Sequence, residues 1–227
     1  VDSALEPGGV LDLPEGEAHH VLKVLRGRAG DLIEIVDGAG RLFTAELCGG
    51  KNAAVLEELP VPGAEVEVSL YQAVPKGGRM DLLVEKATEV GATTIVPLLS
   101  ERGVVNPREG KVGRWRRVAE AAARQSLRFR VPHVGEPVVF EEAVWKTGET
   151  GVLLHNAPDL QPVEAVVESP ASLFVGPEGG WSDGELLLAH EAGIAFGALG
   201  PNRLRSETAG IVAVARASAA LESRVRP

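Results

Sequence analysis

Two glycine-bearing segments hold the residue types that could do chemistry. The first, LFVGPEGGWSDGE at 173–185, runs a short apolar strand into Gly176-Pro177-Glu178-Gly179-Gly180 and then into a helix start. Glycines at such a junction let backbone amides approach a ligand that side chains would otherwise keep away. The spacing is neither the GxGxxG dinucleotide pattern nor a phosphate loop followed by Lys-Ser/Thr, and taken alone it reads more readily as a structural turn. The second, ALGPNRLRSETAG at 198–210, repeats strand, Gly-Pro turn and helix start, with Arg203, Arg205 and Glu207 gathered at the turn. Two such loops at the ends of neighbouring strands would face one crevice, where open α/β sheets bind ligands. Against this, Arg205 and Glu207 could form only a surface ion pair of small energetic worth.

Charge gives a second handle. The net charge of −9 argues against a nucleic-acid partner, but between residues 102 and 130 nine Lys or Arg face two acids, whereas 131–200 holds eleven acids and one Lys. That segregation leaves a cationic region on an acidic chain. At 100° per residue Arg114, Arg117, Arg124 and Arg128 fall on one helix face, beside an apolar stripe of Trp115, Val118, Ala119 and Ala122. Four like charges repel unless an anion comes near; RNA phosphate is the favoured anion, acidic residues of a partner subunit the alternative. Lys23, Arg26, Arg28 and Arg41 could follow an RNA backbone, or simply solvate a surface.

The elements that must position these groups change rhythm along the chain. Short strands at 21–25, 31–36, 41–47, 53–59 and 65–71, separated by Gly-rich turns, suggest a small barrel. A domain boundary is expected near the Pro60-Val61-Pro62-Gly63 break, giving domains at 1–67 and 68–227. Residues 1–11 read as a fraying start. Beyond the break, strands alternate with helices, as in a mostly parallel α/β sheet. A helix is expected over 78–90, with Leu82, Leu83, Ala87 and Val90 inward and Gly91 as its cap, and others over 111–127, 183–192 and 206–221. The third carries a capping box, Ser182 with Glu185, and the last is alanine-rich. Strands are expected at 93–98, 151–155, 171–175 and 194–199.

Composition sets outer limits. The 227 residues suit two modest cores, and 44% apolar with 24% charged residues is ordinary for a globular protein. Cys48 is the only cysteine, so no intrachain disulfide forms, and a cytoplasmic location is expected. No apolar run is long enough to span a bilayer. The five histidines show no metal-ligand spacing, so no metal is expected. Trp115, Trp145 and Trp181 are read as core or cofactor-wall residues.

VGPEGGWSDGE followed by LGPNRLRSETA resembles the paired signature of the RsmE-type family, the 16S ribosomal RNA uracil-N3 methyltransferases of the SPOUT (trefoil-knot) superfamily. KGGRMDLLVEKATEVGATTIVPLLSERGVV at 76–105 and RWRRVAEAAARQSLRFRVPHV at 114–134 are similar to that family's middle segments. HHVLKVLRGRAGDLIEIVDGAGRLFTAEL at 19–47 resembles its PUA-like RNA-binding barrel. One departure is Asn202-Arg203, where the family usually carries Arg-Ile.

The resemblance implies a knotted C-terminal α/β domain, a homodimer, and S-adenosylmethionine as methyl donor for N3 of a uridine in small-subunit ribosomal RNA. By matching position the cofactor shell would be Leu154, His155, Gly176, Pro177, Glu178, Gly179, Gly180, Leu199, Gly200, Leu204, Arg205 and Thr208. Arg205 would orient the uracil or its phosphate. Glu207 is the candidate for handling the N3 proton, with holding the loop in shape as its other reading. The alternatives are a knotted methyltransferase acting on tRNA or a ribose hydroxyl, and an RNA-binding protein with a degenerate site.

Overall fold

Period-two alternation over 42–59 builds the N-terminal sheet, because every second side chain can then be buried on one face. The computed structural model describes residues 5–61, 66–104, 107 and 110–225. It divides into two units, residues 1–63 with 127–131 and residues 64–126 with 132–227. In the first unit β1 (Val10–Asp12), α1 (Glu15–His19), a π-helical turn (His20–Val24), β2 (Leu32–Val36), β3 (Leu42–Gly49) and β4 (Asn52–Leu59) follow in order. The strands form an antiparallel sheet in the order β1-β4-β3-β2. Phe43, Ala45, Leu47, Ala53 and Val55 form its core with Leu5, Leu11 and Ile35.

Three expectations change here. Residues 21–24 are helical rather than a strand, with Leu25 as the cap: Val21 and Leu22 pack inward while Val24 and Leu25 are exposed. A five-residue segment such as Val-Leu-Lys-Val-Leu fits either period, and only its neighbours decide. The strand placed at 65–71 begins at Val68 within the described residues and belongs to the other unit's sheet; Pro62, Gly63 and Glu65 lie outside the described residues. The supposed fraying start supplies β1 and two core leucines, Leu5 and Leu11.

The chain also returns to this unit far downstream. The Gly40 amide donates to Phe129 O at 3.0 Å, and Val131 N–H to Gly38 O at 2.9 Å. The turn they clasp is pinned by Asp37, whose carboxylate accepts from the Ala39 and Arg41 amides and from Arg41 Nε at 2.7 Å. Burial would raise the Asp37 pKa, but these donors outweigh it and hold it below its ordinary value. Arg41 is thus tied to Asp37 and lies over the Phe43 ring, so it does more than solvate a surface.

The second unit contains β5 (Val68–Ala73), α2 (Met80–Glu89), β6 (Thr94–Leu99), α3 (Lys111–Gln125), β7 (His133–Val134), β8 (Val138–Val139), α4 (Phe140–Thr147), β9 (Gly151–Leu154), α5 (Val163–Val166), β10 (Ala171–Val175), α6 (Asp183–Glu191), β11 (Ala195–Gly197) and α7 (Ser206–Val225). Its sheet runs β11-β9-β10-β5-β6-β7 with β8 also on β6, and every pairing is parallel. All residues of β9 and β10 are buried, as strands covered on both faces must be.

Gly91 takes φ +112°, and a Cβ there would meet Ser218 Oγ at 2.9 Å, so this glycine both ends α2 and admits α7. In α2 it is Val84 that turns inward, whereas Leu82 is 48% exposed. The helix α4 was not anticipated: its N-cap is Val139, which offers no side-chain cap, so the usual polar start signal is missing. The helix α3 stops at Gln125 and Leu127 adopts φ +55°, which takes Arg128 off the helical face assigned to it.

Candidate functional site

Because β9, β10 and β11 are parallel neighbours, their carboxyl ends open on one side of the sheet, and the loops that follow them enclose one crevice of about 580 Å³. The structure brings both glycine loops to it. Of the twelve residues assigned to the cofactor shell, ten line the crevice: Leu154, His155, Gly176, Pro177, Glu178, Gly180, Leu199, Gly200, Leu204 and Arg205. Gly179 does not; its α-carbon packs against Arg102, 3.3 Å from where a Cβ would stand. Thr208 sits exposed on the first turn of α7, away from the lining. Asn156, Val175, Asn202, Arg203, Ser206 and Ala209 join the lining without having been assigned to it, and Trp181, read as core or wall, lines it too.

Local chemistry fixes the first loop at both ends. Gly180 N–H donates to Pro177 O at 2.9 Å, closing a turn that places Gly180 at φ +70°. Trp181 then folds back, its indole N–H donating to Leu154 O at 3.0 Å and its ring lying 4.9 Å from Phe140. A Cβ at 176 would stand 3.0 Å from that indole, so glycine is required by close approach. Trp181 is both core and wall and Trp115 is core, whereas Trp145 is 56% exposed and is neither. The capping box forms as expected, and the buried Glu185 also accepts the Glu101 amide at 2.9 Å, joining the 100–101 turn to α6.

Beneath the loop lies a residue the sequence reading missed. Gln72 is fully buried; its Nε2 donates to Ala73 O and to Ser206 Oγ, both at 2.9 Å, and Ser206 Oγ donates to Gly176 O at 2.7 Å. The amide therefore ties β5 to the start of α7 and to the first glycine of the loop. The available signal was a lone amide in an otherwise apolar strand, since a buried amide needs partners.

Glu207 is only 5% exposed and does not line the crevice. One oxygen lies 3.4 Å from Arg79 Nη1, and the other has no hydrogen-bond partner. Of its two readings, this position agrees with holding the loop in shape. Arg79 ends the segment Lys76-Gly77-Gly78-Arg79, whose Lys76 amide donates to Glu178 Oε1 at 3.1 Å. Arg203 Nη2 donates to Glu178 O and Arg102 Nη1 to Gly179 O, each at 3.3 Å.

The other cations are scattered. Arg114 is paired with Asp81, which also accepts the Trp115 indole N–H. Arg117 is exposed, Arg124 has an interaction partner, and Arg128 lies in the 127–131 segment of the N-terminal unit. Lys23, Arg26 and Arg28 are exposed on the same N-terminal unit, Arg26 at φ +59°.

The parallel sheet carries a glycine-walled crevice at its strand ends, and the chain holds a separate β-rich unit as well. Residues 62–218 match the RNA methyltransferase domain model, and residues 13–59 match the RNA methyltransferase PUA domain model. Ribosomal RNA small subunit methyltransferase E of Synechocystis sp. is 37% identical over 94% of this chain and 74% of its own length. The protein of that description from Mycobacterium tuberculosis is 34% identical over 94% and 88%. Among solved structures, ribosomal RNA small subunit methyltransferase E of Neisseria gonorrhoeae bound to S-adenosyl methionine superposes with TM-score 0.82, at 32% identity, over 97% of this chain and 96% of that one. A putative methyltransferase of Legionella pneumophila in complex with the same cofactor gives 0.76 at 31% identity, over 96% and 95%. The chain belongs to the ribosomal RNA small subunit methyltransferase E family of RNA methyltransferases.

Proposed function

We propose that this protein transfers the methyl group of S-adenosylmethionine to N3 of a uridine in small-subunit ribosomal RNA, as a cytoplasmic homodimer whose C-terminal domain is knotted. The observation that carries the reading is the convergence of the two glycine loops on one crevice. Its fit to the donor is physical: about 580 Å³ suits a ligand of nucleoside size. Leu154, Val175, Leu199 and Leu204 supply apolar wall, and among the described residues Glu178 is the only carboxylate in the lining, which it shares with Arg203 and Arg205. Gly176, Gly180 and Gly200 would hold the donor through backbone groups.

When bound, S-adenosylmethionine supplies a methyl already activated by its sulfonium, which needs no metal. The residues of this chain position the acceptor and exclude water. Arg205, exposed in the lining, would donate to a uracil carbonyl and favour the anion formed when N3 loses its proton. Glu207 acts from behind: buried against Arg79, it holds the Lys76–Arg79 segment rather than reaching the base.

Calorimetric titration with S-adenosylmethionine, followed by mass spectrometry of ribosomal RNA from a strain lacking the gene, tests the proposal. The expected result is uptake of the donor and loss of one methyluridine. No uptake, or loss of a ribose methylation or a tRNA modification instead, would overturn it.

A further inference from the structure

We infer that the rim of the crevice is a phosphate clamp for a single-stranded RNA segment, with Arg102 and Arg203 as its two jaws. The inference deepens the proposed function and rests on it for the identity of the substrate. The anchoring of the two side chains carries it. Each spends one guanidinium N–H on a main-chain carbonyl of the same turn, Arg102 on Gly179 and Arg203 on Glu178, at 3.3 Å. A guanidinium has five N–H donors, so most remain free. Among the described residues neither side chain meets a carboxylate, and both residues are exposed.

Around that turn stand three further cations: Arg205 in the lining, Lys76 held by its amide to Glu178, and Arg79 against Glu207. These basic residues gather on a molecule whose net charge is −9. Side chains fixed to carbonyls with idle donors are arranged for an anion that accepts through two oxygens at once, as the two non-bridging oxygens of a phosphodiester do. A uridine stacked in a duplex cannot enter a crevice closed by strand ends, so the bound segment must present its base unpaired. Phosphates flanking that nucleotide fall to the jaws.

The test measures binding to polyuridylate and to a duplex of equal charge across a salt series, using the full chain. Wild type should prefer the single strand. Arg102→Ala and Arg203→Ala should each weaken single-strand binding about five- to tenfold at physiological salt. Each should also reduce the slope of log affinity against log salt by about 0.7, the value for one lost phosphate contact on a single strand. Arg102→Lys should restore the slope, which a purely structural role for Arg102 would not do. An unchanged slope in the double alanine variant, or equal affinity for duplex and single strand, would overturn the clamp. Donor uptake is measured separately without RNA: its failure sinks the proposed function, whereas an unchanged slope with donor uptake intact sinks the clamp alone.

Discussion

Replacing Gly210 by alanine tests the buried relay under the first glycine loop. A Cβ at 210 would stand 2.3 Å from Gln72 Oε1 and 2.9 Å from Leu83 Cδ1. Gln72 Oε1 is the far end of a flexible side chain, and in most settings it would swing away cheaply. Here it cannot, because Gln72 and Leu83 are both fully buried and the Gln72 Nε2 donates to two partners. Moving the amide breaks its bond to Ser206 Oγ, the group that holds Gly176 O. Overpacking costs about 1 to 3 kcal/mol and stranding a buried amide about 1 to 3 more, so a loss of roughly 2 to 6 kcal/mol is expected. For a domain of this size that lowers the melting temperature on the order of 10 °C. The assay is thermal unfolding with S-adenosylmethionine titration on the four members of a double-mutant cycle, wild type, Gly210→Ala, Gln72→Ala and both. Truncating Gln72 first removes the obstacle, so the alanine at 210 should cost much less in that background, a coupling above about 1 kcal/mol. Strict additivity, or a Gly210→Ala variant that melts with wild type, would refute the relay.

Three other outcomes follow from the same geometry. Gly180→Val should depress donor affinity with the N-terminal unit still folded: nothing crowds a Cβ there, but φ +70° is strained for a β-branched residue by about 1 to 2 kcal/mol, and normal affinity would contradict the placement of the donor. Ser182→Ala should cost about 1 kcal/mol in denaturant unfolding, because Ser182 Oγ accepts the Glu185 amide at the start of α6. Asp37→Asn should destabilise the N-terminal unit at neutral pH. The folded pKa of Asp37 lies below its ordinary 3.8, so its contribution is present above that value and fades as pH falls through the lowered one; urea melts of wild type and variant should converge below about pH 4.

The α/β class and the two glycine loops were legible in the sequence because they depend on local rules. Parallel strands buried on both faces read as unbroken apolar runs such as 171–175, and Ser182 with Glu185 marks a helix start wherever the chain goes. A glycine between a strand and a helix likewise announces close approach. Positions that depend on neighbours were not legible. Residues 20–24 could satisfy either period, and the adjacent core made them helical. Arg128 left its helical face because one residue, Leu127, turned left-handed. Glu207 was the candidate for handling a proton and does not line the crevice, while Gln72, which no motif marked, underlies the first glycine loop. Arg102 and Arg203 lie 101 positions apart in the chain, and only the fold hangs both from one turn. Sequence fixes what a segment can do by itself; which side chains share an anion or a proton is set by strand order, because parallel pairing joins segments that never adjoin along the chain.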